Sequence, residues 1–479
     1  MILRQDPGHT RHPLFFAIAL ACAAGNTSAA TVTVGSADDS AISTACNLRN
    51  AIASINASAA TANCVSAVIG KFGGGDAIVF APALAGSTIT LEEGQLSVTA
   101  AMTILGSGQI IHSDPAGSRL IGATASLSLD HLILSGGTTT DSGGAISSEG
   151  ASTTLTVSNS TVSGNHANGH GGGISVVASV GTFILSNSTI TANTSNSEGG
   201  GMDIQNVHAT ISNSTIDGNV ATCASNVYCT GGIYVAGAHV DFTHSTISGN
   251  SATCTGNADP CDAIGALYAW VSSVNFVDST ITGNNAMAPD NVVGGLWESH
   301  STNAINHGLS LTNTTVAGNS ATATAQTAAN AAGGVLIGLH YDTGAITAAN
   351  SIIASNAATL FGSASPTPDV NINAANAATA AISFSVLGTS ASAAFTGNSN
   401  VFSDTPGLGS LANNGGPTKT MALLAGSVAI DAGSNALALD ADAQPLTTDQ
   451  TSSARIVNDT VDIGAYEFGD RIFFNGFDP

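Results

Sequence analysis

An all-β solenoid, a single-stranded parallel β-helix, is the fold class this sequence predicts, and three features carry the prediction. The first is a repeat: Asn159-Ser160-Thr161-Val162-Ser163-Gly164-Asn165 recurs with variations as far as Asn350-Ser351-Ile352-Ile353-Ala354-Ser355-Asn356. Aligned on its first residue, the repeat gives a corner column of His131, Asn159, Asn187, Asn213, His244, Asp278, Asn313 and Asn350, spaced 28, 28, 26, 31, 34, 35 and 37 residues apart. Such periods belong to solenoids, arrays and propellers. The second is apolar alternation four and two residues before the corner and three after it, as in Leu155, Val157 and Val162, or Val240, Phe242 and Ile247. A spacing of two is that of a strand with one buried face, and the step of five reverses the alternation, so the chain must bend at the corner. Asn suits that bend because it tolerates left-handed backbone angles.

The third feature is a pair of later landmarks in each repeat. Gly164-Asn165, Gly218-Asn219, Gly249-Asn250, Gly283-Asn284 and Gly318-Asn319 mark a second bend. After a loop of variable length, Gly172-Gly173, Gly200-Gly201, Gly231-Gly232, Gly294-Gly295 and Gly333-Gly334 open a third strand. Three short strands and three bends describe one rung. Rungs stack about 4.8 Å apart, so on the order of ten make a rod roughly 50 Å long. The corner Asn column is expected to stack as a hydrogen-bonded ladder.

Taken in order, the chain begins with Arg4 and Arg11, an apolar run from Leu14 to Ala24, and a small-residue site at Ser28-Ala29-Ala30. Residues 1–30 read as a secretory signal peptide, too short to span a membrane. The alternative is that Cys22 is a lipoprotein acceptor, although Ala19-Leu20-Ala21 is a poor context for lipidation. No other run approaches ~18 uninterrupted apolar residues, so no membrane span is expected. Residues 31–75 read as an N-terminal cap in which Leu48, Ile52 and Ile55 share one face of a short helix. Asp76-Ala77-Ile78-Val79-Phe80 begins the first recognisable strand, and rungs run through residues 76–357. Residues 358–400, rich in Ala, Ser and Asn with Pro366 and Pro368, are either irregular rungs or a linker. Residues 401–479 read as an irregular C-terminal cap, which a β-helix needs to protect its open end.

Cysteine usage agrees with export, since the six residues beyond the leader are an even number suited to an oxidising compartment. Cys46 and Cys64 bracket the cap helix. Cys223 with Cys229, and Cys254 with Cys261, lie in variable loops of successive rungs; pairing within each loop is the simpler arrangement, and pairing between stacked loops is the other. Zinc is disfavoured, because CxxC spacing is absent.

Cys46-Asn47-Leu48-Arg49-Asn50-Ala51-Ile52 resembles the CSLREA-type N-terminal motif. Asn413-Asn414-Gly415-Gly416-Pro417-Thr418, Ala429-Ile430-Asp431-Ala432-Gly433 and Val461-Asp462-Ile463-Gly464-Ala465-Tyr466-Glu467 resemble the choice-of-anchor Q segment of secreted bacterial parallel β-helix proteins. The resemblance covers most of the chain beyond the leader. It implies a right-handed β-helix, export from a bacterium and an extracellular or outer-surface role, with no assigned reaction. The chain departs from the motifs at Asn50, where an acidic residue is usual, and at Asp449-Gln450-Thr451-Ser452-Ser453-Ala454-Arg455, which lacks an Arg-Gly after Asp-Gln. Arg471-Ile472-Phe473-Phe474-Asn475-Gly476-Phe477 resembles a short terminal motif of exported proteins.

Charge limits the partners. The formal net charge is −23, and no Lys or Arg occurs between Arg119 and Lys419. Nucleic acid and anionic membrane both require cationic side chains, so neither is expected to bind the rod. Pectate-lyase-like chemistry, with its cationic base and polyanionic substrate, is disfavoured for the same reason. A monomer is expected.

Rungs differ mainly in the loop before the Gly pair, and insertions on one side of a solenoid often mark its binding face. In the strand that follows, the second residue after the Gly pair points outward, which gives a column of Ser175, Asp203, Tyr234, Tyr268, Trp297 and Leu336, with Trp270 also outward. Tyr234, Tyr268, Trp270 and Trp297 beside Asp203 and Asn291 suit stacking against sugar rings with hydrogen bonds to hydroxyls. A polysaccharide or surface glycan is thus the expected partner. The alternative is that the cystine-bearing loops fold back and bury these rings as packing.

A polysaccharide hydrolase or lyase is the rival class. Hydrolysis needs two facing carboxylates. Asp203 and Glu298 have the right chemistry but lie several rungs apart; adjacent Glu92 and Glu93 point to opposite faces of a strand. Gly169-His170-Gly171 carries the remaining candidate, His170, which a repeat turn explains better. No cofactor is expected, although Asp259 with Asp262, and Asp440 with Asp442, are candidate calcium ligands. The recurrent Asn-Ser-Thr is formally a glycosylation sequon, and turn geometry accounts for it. No run of alternating ~10-residue strands suggests a membrane barrel.

Overall fold

A computed structural model describes residues 29–469 apart from 41, 114–116, 225–226, 257–260, 301–306, 326–329, 339–343, 374–377 and 390–394. Residues 1–28 with Cys22, which hold most of the expected leader, the tail from Arg471 to Phe477, and Asp259 lie outside the described residues. The fold is a parallel β-helix. Its main sheet of 31 strands wraps into three faces, and every pairing in it is parallel except that of Thr31–Val34 with Val68–Ile69.

Register confirms the alternation read from sequence. On the first face, which follows the Gly pairs, Ile174, Met202, Ile233, Leu267, Leu296, Val335 and Val370 stack as ladder partners. On the second face, before the corner, Phe183, Ala209, Val240, Val274, Leu309 and Ile346 do the same. On the third face, after the corner, the stack is Ile190, Ile216, Ile247, Ile281, Val316 and Ile353. All of these side chains belong to one buried core. A ladder of like residues at strand spacing buries each side chain against its copy on the next rung, so apolar burial accumulates with every turn.

The bends use the polar landmarks differently from expectation. The first Asn column is left-handed, with φ of 49° at Asn159, 49° at Asn187, 51° at Asn213 and 45° at Asp278. The continuous ladder runs instead through the second Asn. Asn165, Asn193, Asn219, Asn250, Asn284, Asn319 and Asn356 are buried, and each Nδ2 donates to the Oδ1 of the next rung at 2.8–3.0 Å, ending on Asp369. A left-handed backbone turns the first side chain outward, leaving Asn159 and Asn187 exposed, whereas the second Asn points into the stack. The intervening Ser also ladders: the Oγ groups of Ser188, Ser214, Ser245 and Ser279 accept the backbone N–H of the preceding rung's Ser. That bonding explains Asn-Ser-Thr. The Gly pairs are close-packed, since a Cβ on Gly172 would collide with the carbonyls of Gly200 and Thr194.

The sheet starts earlier than expected, because Thr31–Val34 already pairs with Asp76–Phe80. The helix Leu48–Asn56 begins at Asn47, whose side chain accepts from the Asn50 N–H, and buries Leu48, Ala51, Ile52 and Ile55 on the core. The Cys46–Cys64 disulfide fastens it. Residues 358–400 are irregular rungs: Val370–Ile372, Thr379–Ser383 and Val386–Leu387 stack in register on the rung before.

The C-terminal segment reaches well beyond the last rungs. After Val401–Phe402, paired to Val386–Leu387, it turns back along the third face. Thr418 Oγ1 donates to the His244 carbonyl, the Thr280 hydroxyl donates to Gln450 Oε1, and the Ala465 N–H donates to Thr315 Oγ1. Leu423, Ala429 and Ile463 pack with Ile352, Ala354 and Val386 in an apolar cluster of their own. The reason lies in the third face, where Thr246, Thr280 and Thr315 present a row of hydroxyls flanked by Ile352, matching the polar and apolar halves of the segment.

Candidate functional site

The long loops are themselves strands, which changes the fate of the expected aromatic strip. Val227–Thr230, Cys261–Ile264, Val292–Val293 and Ala331–Ala332 form a four-stranded sheet outside the rod. Disulfides Cys223–Cys229 and Cys254–Cys261 close the loops internally. Small side chains, chiefly Ala and Cys, fill the space between this outer sheet and the nine-stranded sheet at the second bend. Its other side, Ile264, Val293 and Ala332, packs on Tyr268, Trp297 and Leu336.

Tyr268 and Trp297 do point away from the main core, yet each is only 1% exposed. They form a packed aromatic cluster, with Tyr228 to Tyr268 at 4.8 Å and Tyr268 to Trp297 at 5.2 Å between ring centroids. Tyr234 is half-buried at its edge. Asn291 is also not a free ligand group: its Nδ2 donates to Asp262 Oδ1 at 3.0 Å, its Oδ1 accepts from Asn330, and Asn330 accepts from Asn371. This second amide ladder fastens the outer loops to one another. Of the expected strip, Trp270 alone is well exposed, at 43%.

The weak catalytic candidates separate. Glu298 occupies an inward register position between Ala269 and Ile337, fully buried, with His300 Nδ1 at 2.7 Å and the Ala345 N–H on its other oxygen. Asp203 lies three ladder steps away on the outward side, through Tyr234, Tyr268 and Trp297. At about 4.8 Å per rung the two carboxylates are some 14 Å apart along the rod and face opposite ways.

Asp203 instead lies within electrostatic reach of a His170–Glu198 pair. His170 Nδ1 lies 2.5 Å from Glu198 Oε2, which also accepts from Ser197 Oγ at 2.6 Å. Asp203 accepts from Ser175 Oγ at 3.0 Å and Gln205 Nε2 at 2.9 Å, and is 1% exposed. Burial raises the Asp203 pKa to about 6 despite those bonds. Burial also opposes ionisation of Glu198, but the bonds from His170 and Ser197 outweigh it and hold the pKa below the ordinary value. The bond to Glu198 raises the His170 pKa against its own burial. Two carboxyls with separated ionisation are what acid–base hydrolysis uses. Here, however, Asp203 is buried and both its oxygens are bonded within the protein. Sequence reasoning missed Glu198, although it stands 28 residues after His170, one rung on at the same position before a Gly pair.

The rod's faces differ in cover. First-face strands Leu296–Ser299 and Val335–Ile337 are buried throughout beneath the outer sheet, and third-face strands Thr246–Ser248, Thr280–Thr282 and Thr315–Ala317 are buried beneath the C-terminal segment. Second-face strands keep one side open: Thr154–Ser158, His239–Thr243, Gly308–Thr312 and Ala345–Ala349 alternate buried with partly or fully exposed residues. Their outward side chains include Thr156, Thr182, His208, Thr210, Asp241, Asn275, Ser310 and Thr347. A depression of about 170 Å³ lined by Asn275, His307, Ser310 and Thr347 lies toward one end of this face, and another of about 180 Å³ lined by Thr103, Ser128, Thr154 and Thr156 toward the other.

The described candidate calcium ligands have partners within the protein. Asp440 Oδ1 accepts the backbone N–H groups of Asp442 and Gln444, and Asp262 serves the amide ladder. Among the described residues one set of metal-binding side chains converges, His208, His239 and Asp241 on the second face. No described helix is long and apolar enough to cross a membrane. Comparison with protein-family models and with curated proteins finds no match.

Proposed function

We propose that this is an exported β-helix that binds carbohydrate along its open second face and does not cleave it. The observation carrying this reading is the contrast in cover: protein layers overlie the first and third faces of the central rungs, while the second is bare and polar. Hydroxyl, amide, imidazole and carboxylate groups repeating at the ~4.8 Å strand spacing suit hydrogen bonds to the hydroxyls of an extended sugar chain. Trp270, just before the bend at Val271 that leads into this face, supplies an aromatic surface for a sugar ring. Export is supported by three disulfides and by the leader-like start of the sequence. The resemblance of the end motifs to secreted bacterial β-helix proteins supports a place outside the cell or on its outer surface.

A hydrolase or lyase acting on a neutral or weakly charged glycan is the second reading, favoured by the split ionisation of Glu198 and Asp203. Burial of Asp203 weighs against it. One experiment separates the two: incubate the protein with immobilised polysaccharides and assay retention together with release of reducing or unsaturated ends. Retention without release is expected. Release that disappears in Glu198→Gln would transfer the function to the second reading, and absence of both retention and release on every polysaccharide would overturn both.

A further inference from the structure

We propose that His208, His239 and Asp241 form a binding site for one borderline divalent metal ion, of the zinc, copper or nickel class. His208 and His239 are ladder partners on successive rungs of the second face, and Asp241 follows His239 by two residues on the same side. The strand period therefore points all three side chains outward together. Their ligand atoms lie within 4.8 Å of one another. Both imidazole Nε2 atoms converge on the same carboxylate oxygen, Asp241 Oδ2, at 3.1 Å each. Metal–nitrogen and metal–oxygen bonds of about 2.0–2.2 Å in tetrahedral geometry put donor atoms roughly 3.3–3.5 Å apart. A small opening of these side chains would thus admit an ion among them.

The surroundings favour the assignment. Asn275 Nδ2 donates to Asp241 Oδ1 at 2.8 Å, which orients the carboxylate and leaves Oδ2 for the ion, as an outer partner of a metal ligand does. Val207, Ala209, Val240 and Phe242 alternate with the ligands and anchor the strands in the core, so the backbone frame is preset. No Lys or Arg occurs on the rungs between Arg119 and Lys419, and the whole chain carries −23, so cations are attracted and no fixed cation of the rod competes. Two imidazoles with a single carboxylate suit zinc, copper or nickel, whereas calcium takes six to eight oxygens. Side-chain exposure of 59% for His208 and 44% for His239 leaves room for water in the remaining coordination positions.

The test is titration of the untagged protein with Zn²⁺ by calorimetry and with Cu²⁺ by electron paramagnetic resonance. One ion per chain is expected, with two equatorial nitrogens in the Cu²⁺ spectrum. His208→Ala and His239→Ala should each weaken binding more than about 10-fold, and Asn275→Ala, which removes only the orienting bond, by about 10-fold. Excess Ca²⁺ should not compete. Wild-type binding no tighter than that of the double variant His208→Ala/His239→Ala would overturn the site, as would a wild-type Cu²⁺ spectrum without two nitrogens. The metal-free melting temperature of each variant checks its fold. The site stands or falls independently of glycan binding.

Discussion

Arg455 Nη1 donates to Asp278 Oδ1 at 3.0 Å across 177 positions of sequence, and neither side chain touches solvent. Arg455 also pairs with Glu467 Oε2 at 3.1 Å. Burial pushes Asp278 up to about 7 and Glu467 up to about 7, with the arginine charge acting against it. Both carboxyls therefore bind protons more tightly in the docked state than when released. Their contribution to docking is full below about pH 4, falls as pH rises toward 7, and levels off above. Limited proteolysis of residues 408–467 should accelerate from pH 5 to pH 7.5 in the wild type and much less so in the double variant Asp278→Asn/Glu467→Gln; the opposite slope would contradict the assignment. Arg455→Ala leaves two buried carboxyls unpaired and should cost about 3–5 kcal/mol in unfolding experiments.

The two Asn columns should respond oppositely to substitution. Asn250 accepts the backbone N–H and Nδ2–H of Asn219 and donates to the Ile216 carbonyl, all buried. Asn250→Ala orphans these groups and should lower stability by about 3 kcal/mol. Asn159→Gly removes an exposed side chain at φ 49°, where glycine is at ease, and should change stability by less than about 1 kcal/mol. Chemical denaturation of both variants checks the contrast.

The two tryptophans should separate in fluorescence. Trp297 is 1% exposed beneath the outer sheet and Trp270 is 43% exposed. In Trp270→Phe the emission should be blue-shifted and resistant to acrylamide. Reducing the Cys223–Cys229 and Cys254–Cys261 disulfides loosens that cover and should make Trp297 quenchable. Equal quenching of both residues in the native protein would count against a closed outer sheet.

His170 should titrate above an ordinary histidine because Glu198 holds its proton. In Glu198→Gln its pKa should fall, read from imidazole carbon shifts in NMR. The pair stabilises the fold in the window from about pH 4.5 to about pH 6.5; the contribution is lost as pH rises through the His170 value and as pH falls through the lowered Glu198 value.

What the sequence disclosed depended on the range of the interaction. Ile190, Ile216, Ile247 and Ile281 were legible because each stands at a fixed offset from its corner, and the period of two then assigns it to the core. The outward direction of Tyr268 and Trp297 was legible for the same reason; their burial was not, because it depends on loops of unequal length pairing as a further sheet. The docking of Gln450 and Arg455 on the third face joins positions 170 and 177 residues apart and left no periodic trace. The His208–His239 pair was hidden in plain register, since the repeat aligns the two positions without marking them as chemistry.

The proposed ligand lies on the second face, and two arginine substitutions probe that placement. Thr210→Arg places a bulky cation on the open face, while Met287→Arg places the same group on the exposed outer side of a different sheet, where Met287 is 41% exposed. Measured on a polysaccharide that retains the wild type, Thr210→Arg should lose retention at least about 10-fold, a change of about 1.4 kcal/mol, and Met287→Arg should keep it. Unchanged retention by Thr210→Arg together with loss in Met287→Arg would move the ligand off the second face.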